Sequence, residues 1–175
     1  MNFKTLFTDK WLELRQTEDG YTYSHDGKAA GGGHKVAVCV VNNKEGKVLG
    51  RYEYTPCHKE GIKLCSITGG VEDNDPRATA VHELMEEAGI KADPDDLLEL
   101  GEVWPSKSSD TVCHLFALMY DGEINEKPAG DGSVGEEGAT VKWVHPLEAM
   151  GCGDPLLPTM MSRLHILRLA MLQGA

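Results

Sequence analysis

Positive charge is scarce in this chain. Its 17 Lys and Arg face 28 Asp and Glu, a formal net charge of −11. That balance repels a nucleic-acid backbone, so nucleic acid is not expected as a partner. No run approaches the roughly 18 apolar residues of a membrane span, and no basic segment leads into an apolar one at the start. Secretion and membrane insertion are therefore not expected, and the expected location is the cytoplasm. The five cysteines are odd in number and contain no C-x-x-C pair. Cys39, Cys65 and Cys113 lie in apolar segments and read as buried thiols, while Cys57, His58 and Cys65 have the wrong spacing for zinc. The triplet Gly31-Gly32-Gly33 lacks the following Gly-Lys-Ser/Thr of a phosphate loop and reads as a linker. No internal repeat is present.

What is present is concentrated between Gly69 and Ile90. Asp75 suits a helix N-cap, Pro76 the first helical position and Gly89 a left-handed stop. At about 100° per residue, Glu86 and Glu87 fall on either side of Glu83. Val81, Leu84, Met85 and Ala88 follow the i, i+3, i+4, i+7 rule and form an apolar stripe roughly opposite. Like charges at these spacings each cost about 0.2–0.5 kcal/mol in water. A solvated acidic face is thus one reading of the three glutamates. The other is a site for a hard divalent cation, Mg2+ or Mn2+, which takes oxygen ligands and retains positions for substrate phosphates. Helix geometry leaves both open.

The complete string resembles the Nudix box, G-x5-E-x7-R-E-U-x-E-E-x-G-U with U aliphatic. Glu83, Leu84, Glu86, Glu87, Gly89 and Ile90 match its second half, and Gly69-Gly70 its start. Two positions depart from it. His82 occupies the arginine slot, and Gly70 and Glu83 lie 13 positions apart, two fewer than in the pattern, which puts Asn74 where the first glutamate is expected. In the family that arginine helps hold the glutamates. Glu72 is a nearby substitute for the first glutamate, and an ordinary histidine is mostly neutral at pH 7.

The resemblance implies an α/β fold, the Nudix α/β/α sandwich with a mixed sheet, over residues 34–175. Residues 1–33 provide room for an N-terminal β-meander, the dimerisation element in the ADP-ribose and nucleoside diphosphate sugar pyrophosphatase branch, so a homodimer is expected. Pro105 stands fifteen residues after Ile90, as in that branch, and the stretch Trp104 to Ala117 is similar to its post-box loop and strand. The implied reaction is metal-dependent hydrolysis of a nucleoside diphosphate-linked small molecule to a nucleoside monophosphate and a sugar phosphate. Glu83, Glu86, Glu87 and the Gly69 carbonyl are the implied metal ligands, with Glu86 and Glu87 catalytic. Glu136 and Glu137, before the last strand, are the implied sources of a base. Arg51, Pro105 and Tyr21 are the candidate substrate contacts. Two rivals remain: a house-cleaning nucleoside triphosphate pyrophosphatase, and a nucleotide-binding module weakened by His82 and the short loop.

Alternation and turn residues predict strands over Phe3 to Leu14, Tyr21 to His25, Val36 to Val41, Lys47 to Tyr54, Ile62 to Ile67, Leu97 to Val103, Val112 to Tyr120 and Thr140 to Val144. An amphipathic helix is predicted from Pro158 to Leu172, with Met161, Leu164, Leu167 and Leu172 packing on the sheet. The Gly- and acid-rich stretch Glu123 to Gly138 is predicted to be a mobile loop.

Overall fold

The computed structural model describes residues 2–27, 30–58, 61–128 and 138–174. At its centre lies β4 (His34–Asn42), whose alternate residues enter two separate cores. Val36, Val38 and Val40 pack towards α1 (Pro76–Ala88), and Ala37 and Cys39 towards α3 (Leu156–Leu172). A strand covered on both faces reads as a continuous apolar run, as Val36 to Val41 does. β4 pairs in parallel with β9 (Val112–Met119), which pairs antiparallel with β8 (Leu97–Val103). The result is a mixed sheet between helices, as the resemblance implied.

The other edge of β4 positions the site. β4 and β5 (Lys47–Tyr54) pair only beside their turn, at Val41↔Val48 and Asn42↔Lys47. Beyond that the two strands splay. β6 (Ile62–Cys65) takes the free edge of β5, and β7 (Ile67–Gly70) the free edge of β4. The run Ile62 to Ile67 that leads into the box is therefore divided between two strands, broken at Ser66. The Asp154 carboxylate accepts both the Ser66 backbone N–H and its hydroxyl, at 2.7 and 2.6 Å, and ends the ladder there. β10 (Thr140–Val144) closes the far edge of β5.

The signals read for α1 are all realised. The Asp75 carboxylate accepts the N–H groups of Arg77 and Ala78, Pro76 opens the helix and Gly89 leaves it at φ 65°. Gly89 and Ile90 donate back to Met85 and Leu84. The buried stripe is displaced from the predicted one. Ala80, Leu84 and Ala88 are fully buried, but Met85 is 45% exposed and its place is taken by Glu87. The sheet lies under the 80, 84, 87, 88 line because that line, not 85, faces β4 and β7.

Elsewhere the chain departs from the predicted elements for local reasons. The first segment divides into β1 (Phe3–Thr8) and β2 (Glu13–Thr17), because the Asp9 carboxylate accepts the N–H groups of Trp11 and Leu12 and makes a turn. With β3 (Thr22–His25) they form a separate antiparallel sheet, the meander. It meets the rest of the chain through Ser24 beside Ser109, a His25–Asp110 pair at 2.7 Å and a Lys35–Asp26 pair at 2.8 Å. The glycine triplet ends in a 3-10 turn, Ala30–Gly33, not a plain linker. A short helix, α2 (Pro146–Met150), precedes α3 and was not predicted. In α3, Leu157, Met160 and Leu164 are buried, whereas Leu172, expected on the sheet, is 83% exposed because the helix outruns its platform. Residues 129–137 of the predicted loop, Glu136 and Glu137 among them, lie outside the described residues. Among the described residues no helix is long and apolar enough to cross a membrane.

Leu84 carries the contact between α1 and the sheet and is 0% exposed. Leu84→Ala is expected to cost about 2–5 kcal/mol, read from urea unfolding. A loss below about 1 kcal/mol would mean that α1 does not pack as described.

Candidate metal and substrate site

The acidic residues of α1 meet the sheet at the splay. Gly69, near the end of β7, leaves room for Glu83: a Cβ there would lie 1.7 Å from Glu83 Oε1. The Glu83 carboxylate thus packs directly on the β7 backbone, beside the carbonyl read as a metal ligand. Glu86 lies one turn further along and is partly exposed, with His82 Nε2 3.5 Å from its Oε1. His82 is itself the more exposed partner of that pair.

Glu87 is the unexpected member, only 3% exposed. Its Oε2 accepts the Thr68 N–H at 3.1 Å, and its Oε1 forms an ion pair with Arg51 Nη1. Arg51 is 1% exposed and also pairs through Nε with Glu53 at 2.9 Å. Burial pushes the Glu87 carboxyl up, against the opposing pull of the Arg51 guanidinium and with reinforcement from the charge on Glu83. The reading of Arg51 as a contact for substrate phosphate is corrected by this arrangement. The guanidinium is sealed beneath the site and committed to two carboxylates. Periodicity gave no signal for this, since Met85 and Glu87 both neighbour Leu84 on the helix surface.

Beside the splay lies a cavity of about 760 Å3, within the range of small-molecule sites. Lys35, Lys63, Glu53, Thr68, Pro105 and Asp154 are among its lining residues. Lys35 and Lys63 stand at this cavity together with the carboxylates of Glu53 and Asp154, and the sequence did not single out either lysine. Asp154 was also missed, since its role depends on a contact with Ser66, 88 residues away. Pro105 is among the residues lining this cavity. Tyr21 is not; it lines a second cavity of about 750 Å3 with Tyr23 and Lys107, and its hydroxyl donates to the Lys107 carbonyl at 2.5 Å. Its side chain belongs to the junction of the meander with the loop after β8. Cys39 and Cys113 are buried and Cys65 half-buried, and all five cysteines are free thiols.

Among the described residues no three His, Cys, Asp or Glu side chains already stand at metal-holding distances. Glu83 and Glu86 have adjacent positions on the helix face, whereas Glu87 is turned towards Arg51. A family model for the NUDIX domain matches residues 33–165.

The chain belongs to the Nudix family. An uncharacterised Nudix hydrolase, orf19 of Rhodococcus erythropolis, is 38% identical over 73 residues, covering 36% of this chain and 40% of that protein. The match thus spans well under half of that relative. Among solved structures, MutT, from work on the proteins of Aliivibrio salmonicida and Vibrio cholerae, is similar with a TM-score of 0.52 at 21% identity. The match covers 75% of this chain and 96% of that one. At that identity the likeness is one of fold. The meander lies before the part that the Nudix model matches.

Gly69→Ala is expected to drive Glu83 out of its place while leaving the fold intact, because the clash at 1.7 Å is with a side-chain end. Mn2+ affinity should fall by about 10–100-fold, the usual cost of disturbing a ligand's support, with little change in thermal midpoint. Unchanged Mn2+ affinity would remove Gly69 from the site.

Proposed function

We propose that the chain hydrolyses the diphosphate of ADP-ribose or a related nucleoside diphosphate sugar, using Mg2+ or Mn2+. The observation that carries this reading is the seating of the α1 carboxylate face on Gly69, next in the chain to Thr68, which lines a lysine-bearing cavity of about 760 Å3. Such a volume accommodates a group beyond the diphosphate itself. Nudix enzymes generally use divalent metals, and the donors here suit one. Glu83, Glu86 and the Gly69 carbonyl are hard oxygen donors on adjoining backbone, and Glu87 has lone pairs beyond those engaged by Arg51 and Thr68. The Gly69 cradle, which any Cβ would fill, supports the same assignment.

When bound, the ion supplies charge neutralisation for the diphosphate and an acidified water. The remaining tasks belong to the chain. Glu83 and Glu86 hold the ligand positions, Lys35 and Lys63 draw the substrate's phosphates to the cavity, and Pro105 shapes part of its wall. Glu136 or Glu137 takes the proton of the attacking water. Water then adds to phosphorus, the bridging P–O bond breaks, and a nucleoside monophosphate and a sugar phosphate leave. Pro105 in the cavity wall and a three-stranded meander ahead of the domain support a diphosphate sugar over a triphosphate.

The meander is also read as the dimerisation element of a cytoplasmic enzyme. Phe3, Phe7, Trp11 and Leu14 are exposed on it, a concentration of apolar surface that a second copy would cover. Trp11→Glu is expected to convert a dimer to a monomer in light scattering. A wild-type protein that is monomeric at micromolar concentration would refute the assignment.

Turnover should be assayed in 18O-labelled water with Mg2+ over ADP-ribose, sugar nucleotides and nucleoside triphosphates. ADP-ribose-like substrates should yield two monophosphates with one labelled oxygen, and Glu86→Gln should lower the rate on the order of 100-fold. Pyrophosphate released from a triphosphate would instead favour the house-cleaning activity. No consumption of any substrate with Mg2+ or Mn2+ would refute hydrolysis.

A further inference from the structure

A buried carboxylate requires a cation or several donors to hold it. Glu87 occupies the line of α1 that also holds Ala80, Leu84 and Ala88, so its orientation is set inside the protein. The box pattern puts an arginine at position 82, but this chain has His82, which is exposed and approaches Glu86, not Glu87. The buried cation comes from a different element. Arg51 of β5 lies in the gap where β4 and β5 splay, pairing with Glu87 through Nη1 and with Glu53 through Nε. β5 is held at this residue on both edges, opposite Cys65 of β6 and Val141 of β10. The guanidinium is therefore anchored to the centre of the sheet. The second Glu87 oxygen accepts the N–H of Thr68, the residue before the Gly69 cradle.

We propose that Arg51 is the positioning residue of this site: from β5 it fixes Glu87, and with it the rotation of α1 that presents Glu83 and Glu86, in place of a cation at position 82. This deepens the reading of the site as a metal-dependent hydrolase centre and rests on it. Three contacts define the geometry. Arg51 holds one Glu87 oxygen, Thr68 holds the other, and Glu53 prevents the guanidinium from turning away. α1 is thus tied to β5 and β7 by the same carboxylate, on the helix flank next to Glu83. Arg51 does not itself line the cavity, although its partner Glu53 does, so its loss acts first on the metal face.

The test compares Arg51→Met, Arg51→Lys and His82→Ala with the wild type. Mn2+ binding to metal-free protein is followed by electron paramagnetic resonance of the free ion, alongside kcat, KM and circular-dichroism melts. Arg51→Met should weaken Mn2+ binding and lower kcat by at least about 10-fold, with KM moving less than about 3-fold. Arg51→Lys should fall between, because an ammonium is a point charge and cannot grip two carboxylates as the planar fork does. His82→Ala should stay within about two-fold of wild type in all readouts. If Arg51→Met does not fold, Arg51→Lys and His82→Ala decide the matter. Wild-type Mn2+ affinity in Arg51→Lys, or an equal loss in His82→Ala, overturns the proposal. A wild type that binds Mn2+ without turning over any substrate refutes the hydrolase reading alone, since the binding series still decides Arg51. A wild type that binds no Mn2+ overturns both.

Discussion

The structure depends on one buried cation. The Arg51 guanidinium is 1% exposed at the point where the two central strands part, and it has carboxylates on two sides. Removing an ion from water costs several kcal/mol unless its partners are well placed, and deleting one partner of a buried pair typically costs about 3–5 kcal/mol. The neighbouring elements are therefore constrained together. β5 must bring Arg51 in, α1 must rotate Glu87 towards it, and β7 must offer the Thr68 N–H. The acidic helix is held by its least visible glutamate.

The splay follows the same logic. Were β4 and β5 paired along their full length, no gap would exist for a side chain, and β6 and β7 would have no edges to occupy. Asp154 secures this branching from the opposite side of the sheet. Its carboxylate gathers the backbone N–H groups of Ser66 and Leu156, which joins the break between β6 and β7 to the start of α3. Two acidic side chains, Glu87 and Asp154, thus satisfy backbone donors that a regular ladder would have paired with carbonyls.

Local signals in the sequence predicted local structure well. Asp75, Pro76 and Gly89 bound α1 as expected because caps depend on a few neighbouring atoms. β4, β5, β8, β9 and β10 follow from apolar runs and turn residues. What escaped depends on distant partners. The break at Ser66 is set by Asp154, and the fate of Arg51 by Glu87, 36 positions later. Periodicity located the apolar side of α1 approximately but could not tell Met85 from Glu87 as the residue facing the sheet. Three glutamates at similar spacing therefore looked alike, although one is internal and two are not. Pro105 was legible through its spacing after the box, while Lys35 and Lys63 became site candidates only when folding put both on one cavity.

Apart from the Lys35–Asp26 pair on β4, the links described between the meander and the domain meet on the loop after β8. Ser24 lies beside Ser109, His25 holds Asp110, and Tyr21 bonds to Lys107. Ser109 lines both the larger cavity and the cavity beneath the meander. A single stretch of backbone is therefore a party wall between two rooms. The N-terminal sheet thus rests on the same backbone that walls the chamber beside Pro105.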